Sequence, residues 1–223
     1  QMLLGKDSGL LKQGRVITAQ ALGGTGGLRI GAELLRRVLP NSTVAISDPS
    51  WENHRAIFES AGFPVVSYPY YDARTNGLNF AGMADGLRAL PAGTIVVLHA
   101  CCHNPTGVDL TPDHWRQVIE IVRQGNLVPF LDIAYQGFGS GIEEDGAAVR
   151  MFADSGITFL VSSSFSKSFS LYGERVGALS IVDQSQEESA RVLSQLKRVI
   201  RANYSTPPTH GGMVVATVLN TPE

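Results

Sequence analysis

Apolar, β-branched runs alternate with stretches of helical period along most of the chain. Val44–Ser47, Val65–Tyr68, Thr94–His99, Val128–Asp132, Ile157–Ser162 and Val176–Val182 read as strands. Between them Gly26–Leu39, Trp51–Ala61, Phe80–Leu90, Pro112–Gln124 and Glu143–Ser155 read as helices, and Gln186–Ile200 and Pro208–Leu219 add two more. Thr111-Pro112-Asp113 supplies a capping hydroxyl and then a proline at the first turn, a good helix start. No internal repeat or low-complexity linker breaks the pattern. Strand–helix alternation argues for an α/β fold whose mostly parallel sheet is covered on both faces. Ligands of such sheets sit beyond the carboxyl ends of the strands, so reactive residues should follow strands.

The 223 residues are enough for one large domain, and 43% hydrophobic with 17% charged residues is an ordinary globular balance. A net charge of −2 gives no global field for nucleic acid or anionic membrane, so neither is an expected partner. Anion binding must therefore come from a local site. No apolar run approaches the roughly 20 residues of a membrane span. The opening QMLLGKDSGL lacks the basic-then-apolar pattern of a signal peptide. Cys101 and Cys102 are adjacent and cannot close an ordinary loop, which suits reduced thiols and a cytoplasmic location.

Five segments follow strands and carry chemistry. Ser162-Ser163-Ser164-Phe165-Ser166-Lys167 gathers four hydroxyls and an amine, with Arg175 eight residues on. Hydroxyls and a guanidinium suit a phosphate, and a lysine can form a Schiff base with an aldehyde. A solvated loop with an incidental lysine explains this segment alone equally well. Gly23-Gly24-Thr25-Gly26-Gly27 before a helix permits close backbone approach to an anion, though most glycine-rich turns are only turns. Asp132 ends a strand, where a buried acid needs a cation such as a protonated pyridine, or a cap or salt bridge.

Two segments remain. His99-Ala100-Cys101-Cys102-His103 invites a zinc reading, but the spacing fits no usual zinc arrangement, and no metal is expected. The Asn104-Pro105-Thr106-Gly107 turn that follows can fix an amide side chain. Trp51, in Asp48-Pro49-Ser50-Trp51-Glu52-Asn53-His54, can stack on a flat ligand, although a lone Trp is more often packing. Together these groups suit one ligand, pyridoxal 5'-phosphate, which needs a lysine for its aldehyde and an acid opposite its ring nitrogen.

The same segments, with Tyr135-Gln136-Gly137-Phe138, Tyr172-Gly173-Glu174-Arg175-Val176-Gly177 and Arg201-Ala202-Asn203-Tyr204, closely resemble class I aminotransferases of the aspartate/aromatic type. The wording of Ser164–Gly177 is more similar to the bacterial aromatic (tyrosine) branch than to the strict aspartate branch. The resemblance implies the three-layer αβα large domain of fold type I over residues 1–223, with a smaller domain from both chain ends lying outside it. It implies an aminotransferase using pyridoxal 5'-phosphate, with an amino acid and a 2-oxo acid as substrates, working as a homodimer.

Role by role, the resemblance assigns Lys167 to the cofactor aldehyde and to proton shuttling, and Asp132 to the ring nitrogen. Tyr135 and Asn104 go to the ring oxygen, and Trp51 to the ring face. Gly24, Thr25, Ser164, Ser166 and Arg175 go to the phosphate, and His54 and His99 to support beneath the ring. Arg201 would bind an acidic substrate side chain in the neighbouring subunit, and Trp51 and Asn104 would also touch substrate. The subunit-bridging tyrosine and the arginine that clamps the substrate α-carboxylate in this family are not among these residues. Decarboxylation or elimination on the same cofactor remains an alternative reaction. A nucleotide-binding α/β protein would explain the glycine turn but not Lys167 with Asp132 and Arg175.

Overall fold

The computed structural model describes residues 2–221. Nine strands and nine helices alternate in it, and seven of the strands form one sheet. These are β1 (Val16–Leu22), β2 (Val44–Asp48), β3 (Val65–Pro69), β6 (Ile95–His99), β7 (Val128–Ile133), β8 (Phe159–Ser164) and β9 (Val176–Val182), while β4 (Tyr71–Asp72) and β5 (Gly77–Leu78) make a separate small hairpin. The sheet order is β1-β9-β8-β7-β6-β2-β3. The pairs β2·β3, β2·β6, β6·β7 and β7·β8 are parallel, and β9 runs antiparallel to both β8 and β1. The expected mostly parallel α/β sheet is therefore present.

Strand side chains alternate between the two faces. Val96, Leu98, Leu131, Ile133 and Val161 point into one core, closed by α4 (Phe80–Arg88), α5 (Pro112–Gln124) and α7 (Ala147–Ser155). Ile95, Val97, Phe130, Leu160 and Leu179 point into the other, closed by α2 (Gly23–Val38), α3 (Glu52–Ser60) and α8 (Gln186–Asn203). Two apolar faces on one strand explain why the central strands read as unbroken apolar runs. Thr111 caps α5 as expected, its Oγ1 accepting from His114 N at 3.2 Å. Among the described residues no helix is long and apolar enough to cross a membrane.

Three expectations are corrected. β1 is absent from the sequence reading, because it is an edge strand of mixed burial paired with a distant partner, Val16 opposite Val182. The helix read over Glu143–Ser155 is two, α6 (Ile142–Asp145) and α7, broken at Gly146. The glycine run is not a loop ahead of a helix but the first turns of α2 itself. Its glycines let the helix lie close on the sheet. A Cβ at Gly27 would fall 2.5 Å from Ser162 Oγ, and one at Gly31 2.5 Å from the Phe130 ring.

The remaining elements are α1 (Gly9–Lys12) and α9 (Thr209–Asn220). The tightest approach to backbone atoms lies where α2 begins. A Cβ on Gly177 of β9 would sit 2.5 Å from Gly23 O and 2.7 Å from Ser163 O, both backbone atoms that cannot swing aside. Gly177→Ala should therefore destabilise the protein by about 1–3 kcal/mol, read as a lower urea midpoint. Gly173→Ala, where an added Cβ meets nothing within 4 Å, is the control and should leave the midpoint nearly unchanged.

Candidate functional site

All the parallel strands end at one edge of the sheet, and β9, running the other way, begins there. A cavity of about 310 Å³ opens at this edge. It is lined by Gly24 and Thr25 from α2, Trp51 before α3, His99 at the end of β6 and Asn104 after it, and Asp132 and Tyr135 from β7 and beyond. Ser164, Ser166, Lys167 and Arg175, on the segment joining β8 to β9, complete it. Of the thirteen residues singled out from sequence, eleven line this cavity. His54 lies behind it, and Arg201 is exposed on the last turn of α8, away from the lining.

The anion-binding end is built by the β8–β9 return. Antiparallel pairing sets Ser164 opposite Gly177 and brings Arg175 back beside the start of α2, where its backbone carbonyl accepts from Gly23 N at 3.1 Å. Ser162 Oγ donates to Gly24 O at 2.8 Å and ties the helix start to β8. Arg175 Nη1 donates to Tyr172 O at 2.9 Å, which steadies the guanidinium at the rim. A helix start with open N–H groups, two buried hydroxyls and a guanidinium form a donor set suited to a phosphate dianion.

At the opposite wall Asp132, 5% exposed, meets His54 Nε2 at 2.8 Å through Oδ2. A carboxylate only accepts, so Nε2 carries the proton. His54 Nδ1 is 2.9 Å from Ser50 Oγ, and the imidazole is edge-on to Trp51 with centroids 5.4 Å apart. His99 packs against His54 at 4.8 Å, and neither of its ring nitrogens has a partner among the described residues. Burial first, then His54 and His103, holds its pKa well below the ordinary histidine value, so His99 is neutral at the cavity wall. Lys167 Nζ lies 4.7 Å from the Tyr135 ring centroid and 5.3 Å from that of Tyr172.

Several supporting residues escaped the sequence reading. His103 holds the turn that presents Asn104: Nε2 is 2.9 Å from Ser47 Oγ, Nδ1 is 2.8 Å from Thr106 Oγ1, and the ring stacks on Tyr70 at 3.8 Å. Burial, then His54, pushes its pKa down to about 4, so it too is neutral. Asp109 accepts from Cys102 N and His103 N at 2.7 and 2.8 Å, fixing the same turn. Asp145 does this for the segment after Tyr135, accepting from Gly137, Gly139 and Ser140 N at 2.8–2.9 Å. His103 and Tyr172 stood inside recognised motifs, whereas nothing local in sequence marks Asp109 or Asp145.

A lysine amine, a buried carboxylate on a central strand, a phosphate cradle, two polar side chains and a stacking indole thus share one cavity. They fit pyridoxal 5'-phosphate, whose aldehyde, ring nitrogen, phosphate, ring oxygen and ring face each call for one of these groups.

Comparison with known proteins gives the same class. The family described as aminotransferase class I and II matches residues 2–223. The chain is 70% identical over 223 residues to an aspartate aminotransferase of Pseudomonas aeruginosa, covering 100% of this chain and 56% of that protein. It is 58% identical over 219 residues to an aromatic-amino-acid aminotransferase of Escherichia coli, covering 98% of this chain and 55% of the relative. A crystal structure of an aromatic-amino-acid aminotransferase from Burkholderia pseudomallei, covalently bound to pyridoxal phosphate, superposes with a TM-score of 0.98 at 69% identity. That match covers 99% of this chain and 55% of the other. The chain spans about half the length of the curated relatives it matches.

The anchor at Asp145 has a pH signature. Burial works against its charge, but the N–H groups of Ser140, Gly139 and Gly137, with that of Gly141 nearby, outweigh it and hold the carboxyl below its ordinary value. A depressed folded-state pKa adds stability that is present above the unfolded value of about 4 and lost as pH falls through the folded value. Asp145→Asn should therefore cost roughly 1–3 kcal/mol at neutral pH. In denaturant titrations the gap between variant and parent should close as the pH is taken below about 4.

Proposed function

The chain belongs to the class I and II aminotransferases, and on that premise we propose that its protein moves an amino group from an aromatic or dicarboxylic L-amino acid to a 2-oxo acid such as 2-oxoglutarate. In this reading residues 1–223 are the large domain that holds pyridoxal 5'-phosphate. The observation that carries it is the convergence of Lys167, Asp132, Ser164 and Arg175 on one cavity at the carboxyl edge of the sheet.

When bound, the cofactor supplies an aldehyde that condenses with amines and a ring that accepts the electron pair left as a substrate Cα proton departs. Lys167 would hold that aldehyde in the resting protein, and once displaced by the substrate amine its Nζ is the cavity's mobile base and acid. That amine would take the proton from the substrate Cα and hold it within the cavity. Asp132 would keep the ring nitrogen protonated, since a fixed negative charge favours the cation. His54, bonded to Asp132 and buried, fixes the orientation of that carboxylate.

Tyr135 and Asn104 would donate to the ring oxygen, Trp51 would cover the ring face, and Gly24, Thr25, Ser164, Ser166 and Arg175 would hold the phosphate. Because these groups are held at the start of α2, at strand ends and on anchored turns just beyond them, the ring is oriented before substrate arrives. Lys167→Ala should abolish both turnover and the visible absorbance of the cofactor–lysine linkage. Asp132→Ala should keep the fold and lose on the order of 10²-fold or more in rate. Full activity in the first variant, or a rate within about twofold of the parent in the second, overturns these assignments.

Arg201 is exposed and stands apart from this chain's own cavity. In a homodimer it would reach the partner's site and pair its fork with the second carboxylate of a dicarboxylic substrate. An aromatic substrate needs that cation moved aside, which an exposed side chain permits. Two thiols free of a disulfide fit a reducing, cytoplasmic setting for the whole protein. Arg201→Leu should cut kcat/KM for aspartate by ~10²-fold or more and cost far less for phenylalanine. Equal losses in parallel steady-state assays would remove Arg201 from substrate selection.

A further inference from the structure

At the border of the cavity lie three side chains that carry no step of the proposed reaction. Cys101, Cys102 and Asp145 each offer a ligand atom, and the three atoms lie within 4.8 Å of one another. Cys101 and Asp145 are buried, Cys102 is half-buried, and neither cysteine is in a disulfide. Adjacent residues of an extended strand point to opposite sides. Here Cys102 sits at φ 49°, left-handed backbone that a non-glycine residue rarely adopts. Asp109 holds it there through the backbone N–H groups of Cys102 and His103. The turn brings both sulfurs round to the same carboxylate.

We propose that Cys101, Cys102 and Asp145 form a binding site for one thiophilic divalent cation of the zinc or cadmium class. Two thiolates and a carboxylate are donors that a borderline-soft cation accepts, with a water in the fourth position. The carboxylate has room to bind. Oδ1 of Asp145 accepts one N–H, from Ser140, while Oδ2 accepts two, so Oδ1 retains a lone pair. The local field also favours a cation. Asp145 lies within reach of both sulfurs and Asp109 accepts from Cys102 N, so the thiols stand between two carboxylates. The same negative charges attract a dication, which replaces the two thiol protons as they pass to the buffer.

This donor set differs from the His99–His103 run that zinc spacing rules exclude. His103 is committed to Ser47 and Thr106, and His99 faces the cavity. The third ligand comes instead from α6. The site borders the functional cavity, since Cys101 lines it and Cys102 Sγ lies 3.8 Å from Tyr135 O. Any effect of the ion on turnover rests on the proposed function, whereas binding itself does not.

Cd²⁺ is the direct probe. Titrating the purified, cofactor-loaded protein should raise an ultraviolet thiolate-to-metal charge-transfer band that saturates at one equivalent per chain. Cys102→Ser should remove that band while leaving the cofactor's visible absorbance in place, and that absorbance reports separately on the proposed function. Zn²⁺ competition against a chromophoric chelator should show the same site lost in the same variant. No thiolate band under excess Cd²⁺, or a band of unchanged amplitude and stoichiometry in Cys102→Ser, overturns the proposal.

Discussion

Asp132 ends a strand buried on both sides, where an unpaired carboxylate costs several kcal/mol. The arrangement around it compensates. His54 donates to its Oδ2 from below, Ser50 holds the far side of that imidazole, and Trp51 packs against its edge. One buried carboxylate thus ties the end of β7 to the first turn of α3 and the residues just before it. It also sets the floor of the cavity, because the carboxylate is held against the protein on one side and faces the ligand space on the other.

The cavity's two flanks are held by a second device, acids that gather backbone N–H groups. Asp109 collects two from the turn carrying Asn104, and Asp145 collects three from the segment after Tyr135. Both segments are irregular backbone whose N–H groups would otherwise need water or a regular ladder. A site built on such loops is as well ordered as these anchors make it. The sulfurs of Cys101 and Cys102 lie between the two anchors, which is why their surroundings are negative.

The phosphate end depends on absent side chains instead. Gly23 and Gly177 allow α2 to start against the β8–β9 pair, and Gly27 and Gly31 let the rest of the helix settle on Ser162 and Phe130. Only this contact puts the open N–H groups of the helix start beside Ser164 and Arg175. The reversal of β9 is equally necessary. A parallel β9 would begin at the far edge of the sheet and carry Arg175 away from the cavity.

The sequence by itself determined the α/β class, the central strands and most of the cavity lining. Those features are written locally, as apolar runs, capping residues and reactive groups just after strands. Lys167, Asp132, Asn104 and Arg175 were legible because strand-end chemistry sits beside its strand in the chain. The edge strand β1, the break at Gly146 and the true start of α2 were not legible. β1 is decided by β9 and the glycines by the sheet, both far away in sequence, and the split helix by a nearby loop that closes onto Asp145. The supports His103, Asp109 and Asp145 were hidden for the same reason. A polar residue on a loop carries no sign of which backbone groups it will bind until the chain has closed around it. Only the tertiary structure could place Asp145 beside two cysteines, because through-space distances, not sequence spacing, set which donors meet.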